Sequence, residues 1–303
     1  MNFVRSIIRS NSIFSRKSKR YLLVFLNGFL LASLVYFYTE KSYEQNLFGS
    51  LAAYVRNSVQ TVNNISSVDF EDSLLAQSVH LVHELGYKRQ EVFGKFPVSG
   101  IKAKCLQPVS FDFMTNQGAC GSYAYVLGRL LQELNIEVRF PQMTVQDRNG
   151  GHIINEAKTS KGWIVLDAAF DIYFRKPDGQ LAAFKDVSQN WIYYKNQLPS
   201  NYNMAYRYEG VRYTNWGKVP LIMPLVKKAL HLSMGKERTD TYSLRSLMLK
   251  KYNILFNITL CLYLLVITYS LKLAFRKEYL PDVARAKKIL REEDMTLPAR
   301  PLA

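Results

Sequence analysis

The stretch Gln117-Gly118-Ala119-Cys120-Gly121-Ser122 precedes two strand-like runs, Gly151-His152-Ile153-Ile154-Asn155-Glu156-Ala157 and Gly162-Trp163-Ile164-Val165-Leu166-Asp167. From Tyr123 to Leu134 the apolar residues Tyr123, Val126, Leu127, Leu130 and Leu131 recur at three- and four-residue steps, which predicts a helix. Gly118 and Gly121 bracket Cys120 and permit the bend that starts it. Cys120 is thereby placed at a helix N-terminus, where unpaired N–H groups and the helix dipole favour a thiolate. The same N–H groups suit an oxyanion on an attacked carbonyl.

Lys158-Thr159-Ser160-Lys161 is short and polar between two β-prone runs, so it reads as a hairpin loop. With all four residues in the loop, Ala157 opposes Gly162, and the same register carried along the ladder opposes His152 to Asp167. Directly opposed side chains share a face, with Cβ atoms roughly 4.5–5.5 Å apart. That lets a carboxylate hold an imidazole in one tautomer. The residues therefore offer a nucleophile, a base and an orienter in chain order: Cys120, His152, Asp167.

The same three segments resemble the core of the transglutaminase-like superfamily, whose members share a Cys-His-Asp order, a Trp shortly before the Asp and a Glu shortly after the His. Here these are Cys120, His152, Asp167, Trp163 and Glu156, and the likeness covers roughly residues 111–174. The aromatic and proline residues common beside the family's triad are Gly121, Ile154 and Ala168 here. The resemblance implies an α+β, papain-like core with a helix-borne cysteine facing an antiparallel sheet. It implies acyl transfer at an amide through a Cys thioester, with water or an amine as acceptor. Gln117, or the backbone N–H of Cys120, would serve the oxyanion, and Trp163 is a further substrate candidate. The papain family proper does not fit, because its register puts Tyr123 at the nucleophile position. The alternative is a catalytically inactive scaffold or interaction protein on the same core.

Around this core, two charge-free runs, Tyr21 to Tyr38 and Ile254 to Leu271, are long enough to span about 30 Å of hydrocarbon. Asn27, Gly28, Asn257 and Tyr263 interrupt them, and a pair of helices can bury such groups against each other. The first run reads as an uncleaved anchor rather than a signal peptide. Residues 1–20 carry a charge of +6 with no acid, residues 40–251 carry +7 and residues 272–303 carry +3, out of +16 overall. The positive-inside rule then puts both termini in the cytoplasm and the core outside, periplasmic or extracellular, although Arg245, Lys250 and Lys251 fall on the outer side. The basic excess meets anionic lipid rather than nucleic acid, for which no motif is present. The expected partners are the bilayer and a protein or peptide substrate outside it.

The expected domains are a basic leader (1–20), a span (21–38), a helical stalk (39–69), the transglutaminase-like domain (70–216), a linker with an interfacial character (217–252), a second span (253–272) and a cytoplasmic tail (273–303). Within the domain, Glu71 to Leu85 reads as a helix capped by Asp69 and ended by Gly86, followed by a loop from Lys88 to Gln107. Pro141 splits two short strands, and Asp147-Arg148-Asn149-Gly150 reads as a turn. His80 and His83 are half a metal site at most, so neither metal nor cofactor is expected. Cys105 and Cys120 would lie on the oxidising side, where a disulfide between them is open.

Overall fold

The computed structural model describes residues 2–61, 67–94, 100–114, 119–145 and 148–294. In chain order the elements are α1 (Asn2–Gln60), α2 (Ser67–Phe93), α3 (Cys120–Glu133), β1 (Val138–Arg139), β2 (Gln142–Val145), β3 (Arg148–Ile153), β4 (Asn155–Thr159), β5 (Gly162–Asp167) and β6 (Ile172–Tyr173). They continue with α4 (Phe184–Gln189), α5 (Trp191–Tyr194), β7 (Val211–Arg212), α6 (Met223–Met234), α7 (Lys236–Asp240), α8 (Leu244–Met248) and α9 (Lys251–Asp294). The class is α+β. Lys41–Lys251 form one compact unit, and the described residues of Met1–Glu40 and Tyr252–Ala303 form the other.

The smaller unit contains two apolar helical segments long enough to cross a membrane, within Ser18–Gln60 and Lys251–Phe275. They run antiparallel. Asn27 Nδ2 donates to Ser270 Oγ at 3.0 Å, and Tyr36 lies edge-on to Tyr252 with ring centres 6.4 Å apart. Asn27 also donates to Leu23 O at 2.8 Å, so both amide protons are used inside an apolar pair. Val24, Phe25, Leu264 and Leu265 face outward and exposed.

The larger unit has two antiparallel sheets, ordered β1-β4-β5-β6 and β3-β2-β7. They are two halves of one bent hairpin. Val138 opposes Ala157, Arg139 opposes Glu156 and Gln142 opposes Ile153, one register carried from the first sheet into the second before it shifts between Gln142 and Thr144. The ladder breaks where Pro141 has no N–H to donate, and the Pro141 carbonyl instead accepts Ile154 N–H at 3.1 Å. The split at Pro141 follows the sequence expectation. Arg148, Asn149 and Gly150 do not: they belong to β3, with Val145 opposite Arg148, and Asp147 lies outside the described residues.

Helix α3 packs on one face of the larger sheet. Val126, Leu127, Leu130 and Leu131 join Ala157, Ile164 and Leu166 in the main core. Close approach is specified by sequence: a Cβ on Gly128 would sit 2.4 Å from the Phe140 ring. Asn155 Nδ2 donates to Ala124 O at 3.0 Å and ties β4 to the helix. The opposite face carries Ile154 and Val165 into a second core with Phe174, Tyr194, Tyr202 and Tyr208.

Three expectations are corrected. The segment expected as a stalk is part of the folded unit: Phe48, Ala52, Val55 and Val59 of α1 are buried in the main core. Gly86 does not end α2, which continues to Phe93; its missing side chain makes room for Tyr123, whose ring would lie 2.2 Å from an added Cβ. The segment expected as a linker is docked onto the same unit. Thr214 Oγ1 donates to Tyr242 O at 2.7 Å and accepts Leu244 N–H at 3.1 Å, while Leu249 reaches the main core. Helices α6 and α8 keep an unburied character, with Leu225, Leu232 and Leu247 exposed.

Candidate functional site

Cys120 is the first residue of α3, entered from an extended Ala119. The N-terminus of this helix is held by polar contacts that the sequence does not announce. Ser122 Oγ donates to Asp112 Oδ1 at 2.7 Å, and Arg89 Nη1 donates to Ser122 Oγ at 2.6 Å and to the Asp112 carbonyl. Burial pushes Asp112 up to about 6, against the opposing pull of Ser122 and Arg89. Glu44 is buried next to it in the same network, raised by burial, and accepts both the N–H and the hydroxyl of Ser110. No local motif marks this cluster, because Glu44, Arg89, Asp112 and Ser122 come from four separate segments.

His152 sits in β3 just before the bend, and Asp167 ends β5. His152 Nε2 donates to Asp167 Oδ2 at 2.6 Å, with both side chains almost wholly buried. The other oxygen, Asp167 Oδ1, accepts Ala169 N–H at 3.1 Å. The imidazole lies flat on Tyr206, with ring centres 4.6 Å apart and planes 4° off parallel, and Phe170 meets its edge at 5.6 Å. The dense run of tyrosines after Trp191 is the only sequence signal for Tyr206.

The register differs from expectation. The loop is the two residues Ser160-Lys161, so Thr159 opposes Gly162 and Asn155 opposes Leu166, a shift of two. Continued to His152, this register would oppose it to Ala169 and make Asp167 a diagonal neighbour. A shift of two preserves the face, and diagonal positions remain within reach of long side chains. The pair forms because the slip is even.

With Nε2 committed to Asp167, Nδ1 is the nitrogen left to face Cys120, and it has no hydrogen-bond partner among the described residues. Burial pushes the Cys120 thiol up. The neighbouring His152 imidazole, the Ile153 backbone N–H and the imidazolium charge outweigh that, and the thiol ends below its ordinary value. Burial pulls His152 down, but the Asp167 charge and hydrogen bond and its contact with Cys120 overcome this and raise it. Both shifts favour a thiolate–imidazolium pair. No family model, curated protein or solved structure matches the chain.

Of the other expected residues, Gln117 lies outside the described residues. Trp163 shares a face of β5 with Asp167 but stands four residues away, roughly 13 Å at about 3.3 Å per residue. It packs on Arg139 instead, whose guanidinium is 4.1 Å from its ring centre. Glu156 is also occupied there, accepting Arg139 Nε at 2.6 Å and the Tyr213 hydroxyl at 2.7 Å. His80 and His83 of α2 hold the turn after Asp167: His83 Nδ1 donates to Ala168 O at 3.0 Å and His80 Nδ1 to Asp171 Oδ2 at 2.8 Å. Among the described residues there is no metal-ligating cluster, and Cys105, Cys120 and Cys261 are all free thiols.

Proposed function

We propose that this chain is a membrane-anchored thiol enzyme of transglutaminase-like type that acts on amide bonds through a Cys120 thioester. One observation carries the reading: a buried His152–Asp167 pair leaves Nδ1 to a thiol of lowered pKa at a helix N-terminus. That supplies a nucleophile beside a general acid–base and its orienter.

In the first step the Cys120 thiolate attacks the amide carbon. The carbonyl π electrons move to oxygen, and the oxyanion lies against the backbone N–H groups opening α3. His152 Nδ1–H protonates the leaving nitrogen as the C–N bond breaks, leaving a thioester. In the second, neutral Nδ1 takes a proton from water or an amine as it attacks the thioester carbon. The C–S bond breaks and the thiolate returns, again paired with imidazolium. Asp167 keeps the proton on Nε2 throughout, so that Nδ1 presents its lone pair when a base is needed.

The substrate is a protein or peptide outside the cytoplasm. The antiparallel pairing of the two apolar helices is consistent with both ends of the larger unit emerging on one membrane face, and the acid-free leader before residue 21 with the opposite face being cytoplasmic. The test is a thiol-directed activity probe, kept outside right-side-out vesicles that carry the full chain. Wild type should label at Cys120, and Cys120→Ala should not. Labelling only after inversion would reverse the orientation. Wild-type reactivity no greater than a model thiol's, in open vesicles and under reducing conditions, would sink the enzyme reading and favour the inactive scaffold.

A further inference from the structure

Trp163 marks a second pocket. Segments far apart in sequence converge there: β1, the β4–β5 hairpin, the C-terminal end of α3, and the α7–α8 segment docked through Thr214. The cavity measures about 480 Å³, within the roughly 300–1,000 Å³ range of small-molecule sites. Neither Cys120, His152 nor Asp167 lines it.

Its lining asks for an anion. Three cations line it, Arg139, Lys158 and Arg238, against one lining carboxylate, Glu137, and the Glu156 carboxylate behind Arg139. Glu137 stands 3.6 Å from Lys158 in a pair more than half exposed, which water screens heavily. Arg139 is held in a fixed plane between Trp163 and Tyr213, with Nε bonded to Glu156. That leaves its Nη edge as a preset donor fork. The Arg238 guanidinium has no ion-pair partner among the described residues.

The lining also asks for a hydrogen-bond donor. Ser243 is 2% exposed, yet its Oγ has no partner among the described residues, and the same holds for Gln132 Oε1. Gln132 spends its Nε2 on Ser246 O at 3.2 Å, so the orphan is an acceptor. Buried polar groups are normally satisfied, and both of these orphans belong to residues that line the cavity.

We propose that this pocket is a binding site for a small oxyanion ligand, a carboxylate or phosphate monoester with an adjacent hydroxyl or amide donor. The oxyanion sits between Arg139, Lys158 and Arg238, and the donor meets Gln132 Oε1 and Ser243 Oγ. This proposal does not rest on the thiol chemistry.

The full chain in detergent is titrated calorimetrically with lactate and with glycerol 3-phosphate, against the neutral analogues lactamide and glycerol. Saturable binding of at least one anion is expected, and the stronger of the two assigns the headgroup. Arg238→Gln, at an exposed position that leaves the fold intact, should weaken binding about tenfold. Ser243→Ala should weaken it several-fold, and Cys120→Ala should leave it unchanged. Absence of saturable binding by either anion would overturn the proposal. So would equal binding of the neutral analogues, or an affinity that survives both Arg238→Gln and Ser243→Ala.

Discussion

The two ends of β5 carry different chemistry on one face of one strand. At the C-terminal end, Asp167 is shut in with His152 under Tyr206 and Phe170, and the charges there answer one another at 2.6 Å. At the N-terminal end, Trp163 lines a pocket rimmed by cations, with unpartnered polar atoms on two of its lining residues, Gln132 and Ser243. Burial at the first end makes each protonation state strongly dependent on its neighbour. Openness at the second leaves Lys158 and Glu137 screened and weakly coupled. Alternation assigns both residues to one face, but the distance along the strand separates them into two sites.

The sharpest way to break this contrast is to remove the chemistry at the buried end. Cys120→Ala or His152→Ala should lower turnover on an amide substrate by a thousandfold or more, on the order of what loss of a triad member costs. Because the lowered thiol pKa depends on His152, His152→Ala should also shift the pH profile of Cys120 alkylation upward, toward that of a free thiol. The sign follows from the two shifts. Thiolate forms as pH rises through a value below 9.0, and imidazolium persists above the ordinary 6.5, so the reactive pair occupies the window between. Rates of iodoacetamide labelling from pH 5 to 10 would show this. Superimposable profiles would contradict it.

Asp167→Asn comes next. An amide can present its N–H₂ to Nε2 and move the imidazole proton to Nδ1, the wrong nitrogen for a base. Turnover should fall on the order of a hundredfold or more while the fold persists. The upward shift of His152 should shrink at the same time, since burial works against it and the Asp167 charge does most to overcome burial. NMR titration of the His152 ring protons in Asp167→Asn would detect the change. An unmoved titration with unimpaired turnover would mean that the 2.6 Å bond is structural only.

Much of this site was legible because its chemistry is local in sequence. Cys120 opens a helix with a regular apolar stripe, and His152 and Asp167 flank one polar loop. The register itself was not legible. Lys158 and Thr159 are polar yet pair in the ladder with Trp163 and Gly162, so polarity overstated the loop by two residues. The supports were illegible for a different reason. Tyr206 under His152 and the Glu44–Asp112–Arg89 cluster are long-range contacts without a spacing to find. Gly86 misled because a glycine inside a helix and one ending it read alike until Tyr123 is seen filling the gap.

A smaller effect tests the supports of the buried end. Asp112 is raised by burial above its unfolded 3.8 to about 6, so the folded chain binds the extra proton across that interval. Stability from this group is therefore lost as pH rises through it, by on the order of 2–3 kcal/mol in all. Asp112→Asn does not titrate. Its stability relative to wild type should improve by a comparable amount between pH 4 and pH 7.5, measured from denaturant midpoints at each pH. Parallel stability curves would mean that Arg89 and Ser122 fully offset the burial of the charge.

The smallest expected effect is the most direct check on the separation of the two ends. Trp163→Phe removes the indole from Arg139 but keeps an aromatic ring on the strand, so the Arg139–Glu156 bond should survive. At roughly 13 Å from Asp167, the change is beyond any contact with the imidazole. Alkylation of Cys120 and its pH profile should therefore stay within about twofold of wild type, as expected for distant sites that share no partner. Lactate or glycerol 3-phosphate binding should weaken in the same variant, because the face that holds the Arg139 fork is altered. A loss of Cys120 reactivity comparable to that of Asp167→Asn, in protein with unchanged stability, would show that the strand carries one continuous site.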